Sequence, residues 1–272
     1  MKICIYYYSG AGNTACISEI ISQIAQAKGY AVYRKRITKK TLETIQQEYD
    51  ILAIGFPVYF RRAPLIVLDF INRQLGKNRR FFMFSTKGLY SGDASKEIQI
   101  LAKERFFTCI GNMEFYMPGS DVLALMAKKN SLTEKIFKCI HSNHIKTRIE
   151  GFINSLDDLE KIEDIKSKWY MPLDNGIIKP LERHFTDSYQ VFIGRFEAHK
   201  TRCDLCLHCV KNCPNFNISI IDHAIVFGTD CSFCLRCIHQ CHRKAIEIKG
   251  KTEGKVRYHP VVTPDLSVNF TN

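Results

Sequence analysis

The sequence predicts a doubly wound α/β domain on a five-stranded parallel sheet, followed by a small α+β module built around cysteines. Three observations carry this expectation. Short β-rich runs alternate with amphipathic helical patterns through residues 1–155, the signature of parallel strands joined by helical crossovers. The first run ends in a glycine-containing turn that opens a helix. Eight of the twelve cysteines then fall within residues 203–241, in two copies of one spacing.

Residues 2–8 form an apolar, β-rich run that stops at Ser9 and Gly10 and reads as a buried strand. Residues 14–28 carry Ile17, Ile20, Ile21, Ile24 and Ala25 at helical spacing and close on Gly29. The alternation continues with strands over 31–37, 50–56, 80–85 and 108–116, and helices over 64–75, 94–105 and 131–155. Tyr6, Tyr7 and Tyr8 alternate on the first strand and read as core. Cys4, Cys16, Cys109 and Cys139 lie on these elements and read as small buried hydrophobes. Residues 156–194, with a charged helical stretch at 157–168 and then Pro172 and Gly176, read as a connector. Residues 195–272 form the cysteine module with a C-terminal tail, and 217–230 alternate as a β-hairpin.

A sheet of this kind binds its ligand beyond the carboxyl ends of the strands, at the switch point. Three loops occupy that edge. Ser9, Gly10, Ala11, Gly12, Asn13 and Thr14 combine small residues, polar side chains and a helix N-terminus, which suits a phosphate. Pro57, Val58, Tyr59 and Phe60 place aromatic rings at the end of the third strand. Thr86, Lys87, Gly88, Tyr90 and Gly92 form a polar third loop, with Tyr59 and Tyr90 as candidate stacking rings and Lys87 or Tyr90 as candidate proton donors. Gly10 to Ala15 also satisfies the dinucleotide fingerprint. The second strand, however, ends in Arg34, Lys35 and Arg36 rather than in the acidic residue that holds a ribose. NADP would tolerate those cations but leaves the aromatic loops without a role. FMN accounts for all three loops.

The cysteine runs are Cys203, Cys206, Cys209 and Cys213, then Cys231, Cys234, Cys237 and Cys241. In a C-x2-C-x2-C-x3-C run the first three thiolates hold one [4Fe-4S] cubane and the fourth reaches the other. One cluster therefore takes Cys203, Cys206, Cys209 and Cys241, and the other Cys231, Cys234, Cys237 and Cys213. Zinc prefers two separated pairs closing one tetrahedron, and a disulfide framework belongs to an oxidising compartment for which the chain carries no leader. His208, His239 and His242 sit among the ligands as loop or packing residues.

The formal charge is +12. Two clusters at about −2 each, and a flavin phosphate at about −2, bring it near +6. With the basic residues scattered, this points to a solvated surface or a face for an acidic redox partner rather than to nucleic acid. No apolar run is long enough to span a bilayer, and the expected location is cytoplasmic.

Ser9–Thr14 resembles the phosphate loop of flavodoxins, Gly55–Tyr59 their second flavin loop and Ser85–Asp93 their third. Residues 203–246 resemble a bacterial two-cluster ferredoxin, with Ala245 and Ile246 following the last cysteine. Together they resemble the flavodoxin/ferredoxin fusion proteins of anaerobic bacteria, with two departures: Ala11 stands where a threonine is common, and His242 where the second ferredoxin proline falls. The resemblance implies electron transfer between two [4Fe-4S] clusters and FMN in the service of a partner oxidoreductase. A homodimer is compatible with it. The alternative is an FMN-dependent reductase of a small acceptor such as a quinone; a sensing or structural role for the clusters would need no flavin. Arg61 and Arg62, next to the second loop, are expected to favour the fully reduced flavin.

Overall fold

The computed structural model describes residues 1–43, 45–88, 91–158 and 192–271. Five strands form one sheet: β1 (Lys2–Tyr7), β2 (Ala31–Arg36), β3 (Ile51–Pro57), β4 (Arg80–Lys87) and β5 (Thr108–Tyr116). Their order is β2-β1-β3-β4-β5, and every neighbouring pair is parallel. This is the flavodoxin-like order, with its switch point between β1 and β3. All seven residues of β3 are buried, as a central strand covered on both faces requires.

The covering helices follow from the isoleucine spacing. Ile17, Ile20, Ile21 and Ile24 of α1 (Asn13–Ala27) pack with Ile149 and Ile153 of α6 (Ile145–Ser155) over Ile3, Ile5, Phe82 and Phe84. On the other face α2 (Leu65–Asn72) and α3 (Ala94–Glu104) bring Phe70 and Ile98 against Tyr6, Tyr8, Phe56 and Phe81. Truncating a fully buried residue such as Ile17 or Ile20 to alanine costs about 2–5 kcal/mol.

One expected helix is divided. Residues 131–155 form α5 (Leu132–Cys139) and α6, preceded by a short α4 (Ser120–Leu125). Ser142 N–H donates to Tyr116 O at 2.8 Å, and its hydroxyl accepts from Tyr116 N–H at 2.7 Å. These bonds tie the segment to the end of β5 and compete with helix continuation, and His144 is left-handed at φ 56°. Cys139 at the end of α5 is exposed rather than buried and Cys109 is half-buried, whereas Cys4 and Cys16 are in the core. The expected connector falls mostly on residues 159–191, outside the described residues, as does Tyr90.

In the cysteine module β6 (Phe196–Ala198) pairs antiparallel with β9 (Ile246–Ile248). Between them, β7 (Ile218–Ile221) and β8 (Ala224–Phe227) form the hairpin that the alternation over 217–230 predicts. Phe233, Leu235, Ile238, Ile246 and Ile248 build its core, joined by Ala124 from α4. The tail, β10 (His259–Val262) and β11 (Val268–Thr271), is an antiparallel hairpin that returns to the first unit, where Val262, Leu266, Val268 and Phe270 pack on the α1/α6 face. Among the described residues no helix is long and apolar enough to cross a membrane.

Candidate redox site

The two cysteine runs adopt one backbone conformation twice. Leu205, Leu207 and Phe216 have φ of 56°, 59° and 54°; Phe233, Leu235 and Lys244, each twenty-eight residues further on, have 49°, 54° and 49°. Left-handed conformations at these side-chain-bearing residues are costly and persist only where the surroundings over-determine them. Each run then enters a short helix, His208–Asn212 or Arg236–Gln240.

The sulfurs lie in two neighbourhoods. The thiols facing Cys209 are Cys241, Cys203 and Cys206; those facing Cys237 are Cys234, Cys231 and Cys213, with Cys209 beyond them. Burial pushes the Cys209 thiol up to about 11 and the Cys231 thiol up to about 12. Backbone N–H groups already point at sulfur: Asn217 at Cys213 (3.4 Å), Phe233 at Cys231 (3.4 Å) and Ala245 at Cys241 (3.2 Å). A single zinc ion would draw four sulfurs to about 3.8 Å of one another, given its 2.3 Å bonds and tetrahedral angles. Among the described residues no three cysteine sulfurs lie within 4.8 Å of one another. The group that does meet this limit is Asp204, Cys206 and His242, all exposed, in which Asp204 and His242 pair at 2.8 Å. His242 thus has a packing partner, as has His208, which lies 3.3 Å from Gln240.

At the sheet edge the three expected side chains of the first loop are engaged within the protein. Ser9 Oγ accepts from Ala15 N–H (3.3 Å), and Thr14 Oγ1 bonds Thr86 Oγ1 (2.7 Å). Asn13 donates to Pro118 O (3.1 Å) and accepts from the Tyr258 hydroxyl. Among the described residues no hydrogen bond uses the amides of Gly10, Ala11, Gly12, Asn13 or Thr14. Free amides at the start of α1 are the chemistry an anion takes, so the backbone is the candidate phosphate binder and the side chains fix the loop. Gly12 sits at φ 128°, where a Cβ would come within 2.9 Å of Pro260.

Next to this loop lies a narrow slot of about 70 Å³. Asn13, Pro57, Val58, Tyr59, Phe60, Thr86, Lys87 and Gly88 line it from the expected loops, Met117 to Asp121 from the turn after β5, and Phe233, Cys234 and Leu235 from the second cysteine run. Lys87 is committed to Glu114 at 2.6 Å, and Glu114 also meets Ser95 and Ser91. Burial works against the Glu114 carboxylate, but these partners outweigh it and hold its pKa below the ordinary value. Lys87 as a free proton donor is therefore not what the geometry offers. Gly92 packs on Arg61, and Arg62 pairs with Glu97 at 2.7 Å.

The two units meet at the slot. A Cβ on Gly10 would lie 2.5 Å from Cys234 O and 2.2 Å from the Tyr59 hydroxyl, so loop, ring and cysteine run are in direct contact. Arg236, between two expected cluster ligands, donates to Ser9 O (3.4 Å) and Gly10 O (3.0 Å). His239 is buried between Ser120 O (3.0 Å) and Tyr258 N–H (3.2 Å), and burial takes its pKa down to about 3, so the ring is neutral. The sequence pattern missed this seam, including Arg236, Tyr258 and the 117–121 turn, although it read His239 as a loop or packing residue. Most of these contacts join residues more than a hundred positions apart, and no local periodicity encodes them.

No family model and no curated protein matches the sequence. Among solved structures, oxidised Flavodoxin 1 from Bacillus cereus is 14% identical with a TM-score of 0.43, over 58% of this chain and 98% of that one. The flavodoxin of Streptococcus pneumonia TIGR4 is 16% identical (TM-score 0.40, 58% and 99%), and an archaeal flavodoxin 16% (0.36, 57% and 99%). The fold assignment rests on strand order, not on these likenesses.

Proposed function

We propose that the chain is an electron-transfer protein of the flavodoxin/ferredoxin fusion type, holding FMN at the sheet edge and two [4Fe-4S] clusters on its eight paired cysteines. The observation that carries this reading is the contact between Gly10 and Cys234, which puts an expected cluster ligand against the expected phosphate loop. Bound there, FMN supplies exchange between one and two electrons. The protein's part is position. The amides of Gly10–Thr14 hold the phosphate, Tyr59 and Phe60 wall the ring, and Arg236 locks the cysteine run onto the loop. The slot of about 70 Å³ is smaller than a tricyclic ring needs, so the ring would sit partly outside it, over Tyr59 and Phe60.

Cys206 is the exposed cysteine of the two sets, which makes the cluster on Cys203, Cys206, Cys209 and Cys241 the face for a partner protein. The cluster on Cys213, Cys231, Cys234 and Cys237 then stands between it and the flavin. A second reading, an FMN-dependent reductase of a small acceptor, draws on a cleft of about 460 Å³ beside Tyr59, Phe60, Leu65 and Cys231, within the size range of ligand sites. Anaerobic rapid mixing with reduced ferredoxin, followed by oxidised partner proteins or a panel of quinones, separates the two. Single reduction with hand-over only to protein supports the carrier; fast multiple turnover with a quinone supports the reductase. No flavin reduction at all defeats both.

A further inference from the structure

Tyr8 follows the last residue of β1 and is wholly buried. Its ring belongs to the core under α2, as its place on the strand predicts, but its hydroxyl has no hydrogen-bond partner among the described residues. Buried hydroxyls are seldom left so, because an unmade bond forfeits the solvation lost on burial. The groups facing it are the Cys234 thiol, Ser232 and the Tyr59 hydroxyl. Tyr59 is itself walled in by Gly10 and Cys234. The phenol at the end of the first strand therefore faces a sulfur of the second cysteine run, with the Ser232 hydroxyl beside it.

We infer that Tyr8 donates a hydrogen bond to the Cys234 thiolate of the assembled cluster and raises that cluster's reduction potential relative to its twin. The inference rests on the cluster assignment above. A donor to a ligand sulfur stabilises the more negative, reduced state, so it favours uptake of an electron. Reduction by dithionite adds one electron to the cluster and breaks no bond. The proton stays on the phenol. Among the described residues the other buried hydroxyl without a hydrogen-bond partner is that of Ser85, on β4 of the sheet. Tyr8 is thus a positioning residue that makes two clusters of the same local geometry unequal, with the higher potential on the one next to the flavin slot, so electrons run downhill toward it.

The test is an EPR-monitored redox titration of the full chain, native and Tyr8→Phe, after anaerobic purification with iron counted in both. Native protein without iron would overturn the cluster reading and this inference with it. With iron present, Tyr8→Phe is expected to move one of the two cluster midpoints to lower potential and leave the other in place. Two unchanged midpoints, or two that move together, would overturn the assignment of Tyr8 alone. Should Tyr8→Phe take up no iron, the chain carrying tyrosine labelled with ¹⁷O in the phenol decides the matter. Pulsed EPR of its reduced form is expected to show ¹⁷O coupling to one cluster, retained in Tyr59→Phe, and its absence contradicts the bond.

Discussion

Gly12 shows how much a single position carries at the sheet edge. Its φ of 128° turns the loop into α1, and Pro260 of the tail closes over it. Gly12→Ala is expected to cost about 1–3 kcal/mol in unfolding by denaturant, and to weaken FMN binding in a fluorescence titration because the free amides move. Glu114 carries the pH dependence of the same edge. Its folded pKa lies below the unfolded one, so its contribution to stability is complete above the unfolded value, near pH 4.5, and is lost as pH falls through the folded value. Glu114→Gln should therefore lose less stability than the native chain between pH 5 and pH 3, measured as denaturation midpoints; parallel curves would refute it. The loop glycines were legible in the sequence because a tight turn from a strand into a helix needs small residues. Asn13 was legible too, but its role was not, since its partners Tyr258 and Pro118 are brought in by tertiary structure.

Among the elements, the parallel strands were the most legible, because a run such as Ile51–Pro57 that is buried on both faces has no polar alternative. The break between α5 and α6 was not. Ser142 and His144 are tolerable in a helix, and only the pairing of Ser142 with the end of β5 decides against it. The tail's role was hidden for a similar reason. Arg257 pairs at 2.6 Å with Glu247 of β9, both are buried, and Arg202 and Thr252 complete the network. This fastens the strand that follows the last cysteine to the segment leading into β10. Arg257→Met strands the Glu247 carboxylate and is expected to cost about 3–5 kcal/mol in chemical unfolding, whereas the double variant with Glu247→Gln should recover most of it. Equal losses in single and double variants would show that the pair is not what matters.

For the whole molecule, two units that the sequence could describe separately share one seam. The strand order and the twofold cysteine geometry each have a local signature, in hydrophobic period and in ligand spacing. The seam has none: Arg236 on Ser9 and Gly10, His239 between Ser120 and Tyr258, and Cys234 against Gly10 are meetings of surfaces. On the proposed reading the seam would join two redox modules into a single conductor, since distance and orientation are what a protein contributes to electron transfer. Iron, sulfide and flavin analysis of the anaerobically purified full chain tests this most directly. The account predicts about eight irons, eight sulfides and one FMN per chain; zinc in place of iron, or iron without flavin, would contradict it.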